Sequence, residues 1–288
     1  MKILVTGATG FIGNYVIKEL VKRNLFEIIA TSLDPLNKVK NFEWFKDVKY
    51  IIQDLNKSKE DYFAFFENPD ILIHLSWQSL PNYKSLFHIE RNLFTNYFFI
   101  KNIIKNGLKN LNLIGTCLEY GMQEGSLSEN MVTNPITAYG LAKDTLRKFI
   151  EELNKTFEFN YKWIRLFYVY GKGQNPKSLL PQLDRALDNN EVIFNMSQGD
   201  QLRDYLPVEK VAEYIVEISL QNNVNGIINC CSGEPISIKK LVENHLNKRK
   251  INIKLNLGYY PYPDYEPMAF WGDNTKLKKI LTMNNQDI

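Results

Sequence analysis

The chain is predicted to be α/β, a doubly wound parallel sheet with a smaller, interleaved C-terminal lobe. Three observations predict it. Short β-rich runs alternate with helical patterns from the N-terminus, a glycine-punctuated turn joins the first run to the first helix, and the alternation gives way after Gly171 to a loop-rich stretch. In order, 2–6, 28–31, 48–52, 71–75, 111–115 and 161–167 read as strands. Between them 11–23, 82–106 and 137–155 carry helical periodicity. Right-handed strand–helix–strand units then place helices on both faces of one sheet. Beyond Gly171, QNPKSLLPQL leads into a helix ending near Asn189, and 259–271 is rich in proline and aromatic residues. Helix 208–220 and strand 226–230 lead back to the sheet. Residues 1–170, with 200–232 returning to them, are therefore expected to form the main layer, and 171–199 with 233–288 the smaller lobe.

Composition bounds the function. A chain of 288 residues, 44% of them hydrophobic, can bury a large core. Thirty-five basic against thirty-two acidic residues leave a formal charge of +3, too little for the positive field that nucleic acid or an anionic membrane requires, so neither is an expected partner. The run Lys248-Arg249-Lys250 reads as a solvated helix end. Three cysteines, two of them adjacent at Cys230 and Cys231, make no disulfide framework; reduced thiols and a cytoplasmic location fit. The opening MKILVTG reads as strand and turn rather than signal peptide, and no apolar run is long enough to span a membrane. His74, His88 and His245 are scattered, so no metal is expected.

The turn Gly7-Ala8-Thr9-Gly10-Phe11-Ile12-Gly13 follows the first strand and runs into a helix, the Rossmann context for a dinucleotide. Gly7 permits the tight turn, Gly10 admits a pyrophosphate to the helix N-terminus, and Gly13 lets helix and strand pack closely. An acid at the end of the second strand would bind the ribose of NAD. Ser32 stands there, and a small hydroxyl tolerates a 2′-phosphate, which favours NADP(H) over NAD(H). Asp34 lies two positions on, and Lys38 is the nearest cation.

Tyr139 and Lys143, four residues apart at the start of a helix, share one face. Thr116 ends the fifth strand in IGTCLEYG. With the glycine turn, this order resembles the extended short-chain dehydrogenase/reductase family, over nearly the whole chain. Further motifs follow the family's order. Asp54-Leu55 looks like its adenine contact, Leu75-Ser76 resembles the loop beside the nicotinamide ribose, and Asn92 matches its structural asparagine. The segment Arg165–Gly171 is similar to the one leading to the substrate lobe, and Gly199–Tyr205 to the one whose arginine, here Arg203, contacts the substrate diphosphate. Singly, Asp54 could cap a helix, His74 could be a satisfied core histidine, and Arg203 could pair with a carboxylate. Cys117 reads as a packed residue, since no neighbour supplies a base. The aromatic stretch 259–271 could stack a nucleotide base or fill the small lobe's core, and packing is the reading favoured.

The resemblance implies a nucleotide-diphosphate sugar as substrate, a homodimer, and a place in deoxysugar or surface-polysaccharide biosynthesis. It implies hydride transfer between nicotinamide and a sugar carbon while Tyr139 moves the proton, Lys143 stabilises the phenolate, and Thr116 orients the same oxygen. A free tyrosine titrates near pH 10; lowering it by roughly three units takes about 4 kcal/mol of differential interaction. Dehydration would need an Asp-Glu pair directly after Thr116, where Cys117 and Leu118 stand. The 3,5-epimerase-reductases carry a cysteine and a histidine where Leu118 and Gln174 stand. The expected reaction is therefore reduction of carbon 4 of a nucleotide-linked 4-keto-6-deoxyhexose, or its reverse. A 4-epimerase with tightly bound NAD and a catalytically silent NADP-binding regulator are the alternatives. Tyr168, where many relatives place a substrate-binding asparagine, is a departure in the expected substrate site.

Overall fold

A computed structural model describes residues 1–284; residues 285–288 of the expected small lobe lie outside the described residues. The central sheet has seven strands, all parallel. Its chain-order members are β1 (Lys2–Thr6), β2 (Glu27–Ser32), β3 (Lys49–Ile52), β4 (Ile71–His74) and β5 (Asn110–Thr116), then Asn160–Leu166 and Gly226–Cys230. Across the sheet the order runs Gly226–Cys230, Asn160–Leu166, β5, β4, β1, β2, β3. The chain builds outward from β1 to β3, then crosses back to place β4 on the other side of β1. That reversal opens a crevice at the carboxyl ends of β1 and β4, where ligands of such sheets bind.

Strands buried on both faces explain the near-continuous apolar runs. In β1, Ile3 and Val5 enter one core, and Leu4 the other. The first core is covered by the helices Phe11–Arg23, Val208–Leu220 and Thr275–Asn284, and the second by Phe94–Lys105 and Ala138–Thr156. The α/β doubly wound expectation therefore holds, with strand boundaries shifted by a residue or so.

Two local expectations change. The helix expected from 82 starts late: 79–87 is a loop, His88–Leu93 is wound as a π-helix, and the α-helix runs only over Phe94–Lys105. The wider turn carries the tertiary hydrogen bonds of His88 and Asn92 described below. The strand Leu202–Pro207 joins Tyr168–Tyr170 and Pro235–Ser237 in a separate three-stranded sheet, so of the 200–232 segment the helix and Gly226–Cys230 are what pack on the main layer. The helix Leu179–Asp188 packs with Ile238–Arg249 around a third apolar cluster, apart from the two that flank the main sheet.

Lys162 is the anomaly of the sheet. It is wholly buried, its ammonium has no hydrogen-bond partner, and burial pulls its pKa down to about 8. The unfolded chain holds the same group near 10.4. Protonation therefore favours the unfolded state: the penalty is complete below pH 8 and fades as pH rises toward the unfolded value. Lys162→Met is expected to gain up to about 3 kcal/mol at pH 7 in urea melts, with the gain shrinking at pH 10. A gain independent of pH would refute this account.

Candidate active site

The first helix begins where β1 ends because of two glycines. Gly7 has φ +68, and a Cβ there would press on the backbone of Leu75 and Ser76; a Cβ on Gly13 would collide with the Gly7 carbonyl. The helix Phe11–Arg23 is capped by Gly10 without any side-chain bond and has no acid in its first turn. Its first N–H groups and its positive dipole end are thus left for an anion.

A groove of about 230 Å³ runs from this turn along the ends of β1, β2 and β4, lined by Gly7, Thr9, Gly10, Ser32, Asp34, Leu55, Leu75, Ser76 and Asn92 among others. A larger cleft of about 810 Å³ adjoins it, lined by Phe11, Ile12, Gly13, Thr116, Tyr139, Lys143 and Tyr168, and walled on the lobe side by Tyr205, Tyr265 and Glu266. Gly7, Gly10, Leu75 and Trp77 line both. Most of the expected dinucleotide and substrate residues, Asp54 and Arg203 excepted, thus line two adjoining cavities, and the glycine cradle fits a pyrophosphate.

Asp54 is not among the groove's lining residues. Its carboxylate accepts hydrogen bonds from Asn56 N (3.0 Å) and Nδ2 (2.9 Å), closing a turn, while Gln53, Leu55 and Asn56 face the groove. Ser32 lines the groove, but its hydroxyl is engaged: it accepts from Thr9 Oγ1 (2.9 Å) and from Asp34 N (3.1 Å) and lies 2.6 Å from the Tyr50 hydroxyl. Asp34 presents a carboxylate to the groove, paired with Lys38 at 2.7 Å. Burial pushes this carboxyl up, but Lys38 and Thr9 outweigh it and hold it below the usual range. The opening for a 2′-phosphate inferred from Ser32 is therefore faced by a charged carboxylate, and the nearest cation is already neutralised.

His74 lies inside the core. It bonds Thr6 Oγ1 (2.8 Å) and Asn96 Oδ1 (2.6 Å), and burial holds its pKa at about 3, so it is a neutral structural residue. Asn92 donates to Gln78 O at 2.9 Å and so ties the π-helix to the loop after β4.

Thr116, Tyr139 and Lys143 meet at the cleft floor. Thr137 caps their helix by accepting from Gly140 N (3.0 Å), and the Tyr139 N–H donates to Tyr83 O (2.9 Å). Tyr139 and Lys143 are only 7% and 5% exposed. Burial, then Tyr83 and Glu119, push the Tyr139 phenol far above its ordinary value, with the Thr116 hydroxyl pulling the other way. Burial brings Lys143 down to about 7, opposed by Glu119. Its ammonium donates to Ile114 O at 2.8 Å.

Glu119 was not singled out by the sequence, although it is the nearest acid after Thr116. It is wholly buried and bonded to Thr116 N (2.9 Å), Trp163 Nε1 (2.9 Å) and Arg165 Nε (2.6 Å). Every partner is a donor, so it anchors Thr116 and does not face the cleft as an acid. Cys117 is buried, and burial raises its thiol; it is a packed residue, as expected.

Arg203 is not among the cleft's lining residues and gives all five of its donors to protein oxygens: Glu266 through Nε and Nη2, and the carbonyls of Leu202, Pro267 and Met268. What it presents to the cleft is Glu266, fixed at 3.0 Å. The stretch 259–271 also departs from expectation. Phe270 and Pro267 are buried, Tyr259 and Tyr260 are exposed, and Tyr265 and Glu266 wall the cleft. Among the described residues no cluster of His, Cys, Asp and Glu could hold a metal, and no helix is long and apolar enough to cross a membrane.

Comparison with known proteins agrees with this geometry. The chain is 30% identical over 276 residues to the dTDP-6-deoxy-L-talose 4-dehydrogenase (NAD(+)) of Aggregatibacter actinomycetemcomitans, covering 94% of this chain and 99% of that protein. It is 26% identical over 266 residues to the dTDP-4-dehydro-6-deoxyglucose reductase of Escherichia coli, covering 86% and 83%. Its fold matches the UDP-N-acetylglucosamine 4-epimerase of Methanobrevibacter ruminantium M1, solved with UDP-N-acetylmuramic acid, with a TM-score of 0.85 at 21% identity over 97% of this chain and 91% of that one. The model of the NAD dependent epimerase/dehydratase family matches residues 3–231, and the chain belongs to that family.

Proposed function

We propose that the chain interconverts the hydroxyl and keto forms at carbon 4 of a nucleotide-diphosphate-linked 6-deoxyhexose, using NAD(H). The observation that carries this reading is the meeting of Thr116, Tyr139 and Lys143 in the cleft that adjoins the glycine-turn groove, with no acid at the two positions after Thr116. Cys117 and Leu118 cannot supply one, and Glu119 is locked into Thr116, Trp163 and Arg165. That favours a single oxidation or reduction over elimination. Two relatives whose names specify 4-dehydrogenation or 4-keto reduction of dTDP-6-deoxysugars support the substrate class.

NAD(H), when bound, supplies or accepts the hydride. Tyr139 holds the proton that joins the carbonyl oxygen during reduction and takes it from the hydroxyl during oxidation. Its phenol is raised by burial, so a nearby positive charge is required to bring it into range; Lys143 supplies it from the next turn of the same helix. Thr116, held through its backbone by Glu119, orients the sugar oxygen. Asp34 accepts the ribose hydroxyls and repels a 2′-phosphate, so NAD(H) replaces the NADP(H) favoured from Ser32 alone. The expected homodimer would cover the exposed Phe94, Phe98 and Leu141 on two adjoining helices.

The test is a panel of dTDP-, GDP-, CDP- and UDP-linked 6-deoxyhexoses and their 4-keto forms with NAD(H) and NADP(H), read by nicotinamide absorbance and product stereochemistry. Stoichiometric cofactor conversion is expected; epimerisation without net conversion would instead identify a 4-epimerase. Tyr139→Phe is expected to lower kcat by about a hundredfold or more, with NADH binding nearly unchanged. Normal turnover in that variant would remove Tyr139 from the chemistry. Wild-type protein is expected to prefer NADH, and Asp34→Ser to shift the NADPH/NADH ratio of kcat/KM upward by about tenfold. A wild-type preference for NADPH would overturn the role given to Asp34.

A further inference from the structure

Trp77 lines both the groove and the cleft, at the point where they join. Its indole is fixed. Nε1–H donates to His88 Nδ1 at 3.0 Å, and Asn92 Nδ2 lies 3.2 Å from the same nitrogen. Nδ1 must therefore be the acceptor, which puts the ring proton on Nε2, 3.0 Å from Asn82 O. Burial keeps His88 below its ordinary pKa, so the neutral form required by this network prevails. The ring is thus held through the π-helix on one side and the 79–87 loop on the other.

The held indole faces the catalytic pair. Lys143 Nζ stands 3.8 Å from the ring centroid, and the Tyr139 ring meets it edge-on at 6.0 Å. Among the described residues the ammonium has one hydrogen bond, to Ile114 O. A buried ammonium with three donors and a single acceptor depends on whatever else stabilises its charge. Glu119 acts on it at a distance, and the tryptophan face is the group in contact. Tryptophan is the strongest ring for such a contact, and desolvation strengthens it.

We propose that Trp77 is a positioning residue for Lys143: the His88-anchored indole holds the ammonium by a cation–π contact at the junction of the two cavities. The inference rests on the role given to Lys143 above, and it separates Trp77 from a residue that merely fills space. A filler would be replaced equally well by any apolar side chain of adequate size, whereas a cation–π partner requires a ring and requires the cation.

The experiment compares Trp77→Leu, Trp77→Phe and His88→Leu, each alone and combined with Lys143→Met, with kcat and the Kd for NADH as readouts and circular dichroism melts as a check on folding. Trp77→Leu is expected to lower kcat and weaken NADH binding by about tenfold; Trp77→Phe, which keeps a ring, is expected to lose less than half as much on a logarithmic scale. Once Lys143 is methionine, the effect of Trp77→Leu on NADH binding should vanish. Equal losses for Leu and Phe, or a loss that persists without the lysine, would overturn the proposal. Should Trp77→Leu fail to fold, His88→Leu keeps the indole and removes its anchor; a measurable loss that disappears with Lys143→Met supports the proposal, and no loss overturns it. Full turnover in Lys143→Met alone would instead overturn the assignment of Lys143, a distinct outcome.

Discussion

The collision that a Cβ on Gly13 would make with the Gly7 carbonyl is the constraint on which the rest of the site depends. Because both positions are glycine, the helix Phe11–Arg23 starts immediately against the end of β1, with its unpaired N–H groups aimed into the crevice at the sheet's reversal. β4 borders the same crevice from the other side, and Leu75 and Ser76 press against Gly7. A groove and a cleft then share one turn.

Charge is arranged around that junction in layers. Glu119, buried and saturated with donors, fixes the backbone of Thr116 and exerts a negative field that favours a charged Lys143 while disfavouring a phenolate at Tyr139. Lys143 and Trp77 stand on the cleft side of it, with the ammonium over the indole ring. Arg203 and Glu266 form another inward-facing pair, in which the arginine is neutralised and the carboxylate remains in the wall of the cleft. Buried ion pairs contribute little net stability once desolvation is counted, so the effect of these two is chiefly to fix geometry.

Much of this was legible along the chain. Gly7, Gly10 and Gly13 are local chemistry: the strand, the turn and the helix lie within a few residues, and spacing alone implies their geometry. Tyr139 and Lys143 are likewise one helical turn apart. Asp34 and Ser32 were legible as residues but not as neighbours in space, because whether a hydroxyl is free depends on Thr9 and Tyr50, which come from other elements. The surroundings of Arg203 were hidden for the same reason, since its acceptors, one Glu266 oxygen and three carbonyls, lie in the segment 202–268 and only folding brings them around one guanidinium.

By itself, then, the sequence determined the sheet, its doubly wound form, the glycine turn and the placing of Tyr139 and Lys143 on one helix face, because periodicity and short spacings encode local geometry. Tertiary structure alone decided which polar groups face the cavities and which are consumed inside. Trp77 reaches Lys143 across sixty-six positions of chain, Glu119 reaches Arg165 across forty-six, and Glu266 reaches Arg203 across sixty-three. Such pairings depend on the packing of whole elements, and no local pattern announces them.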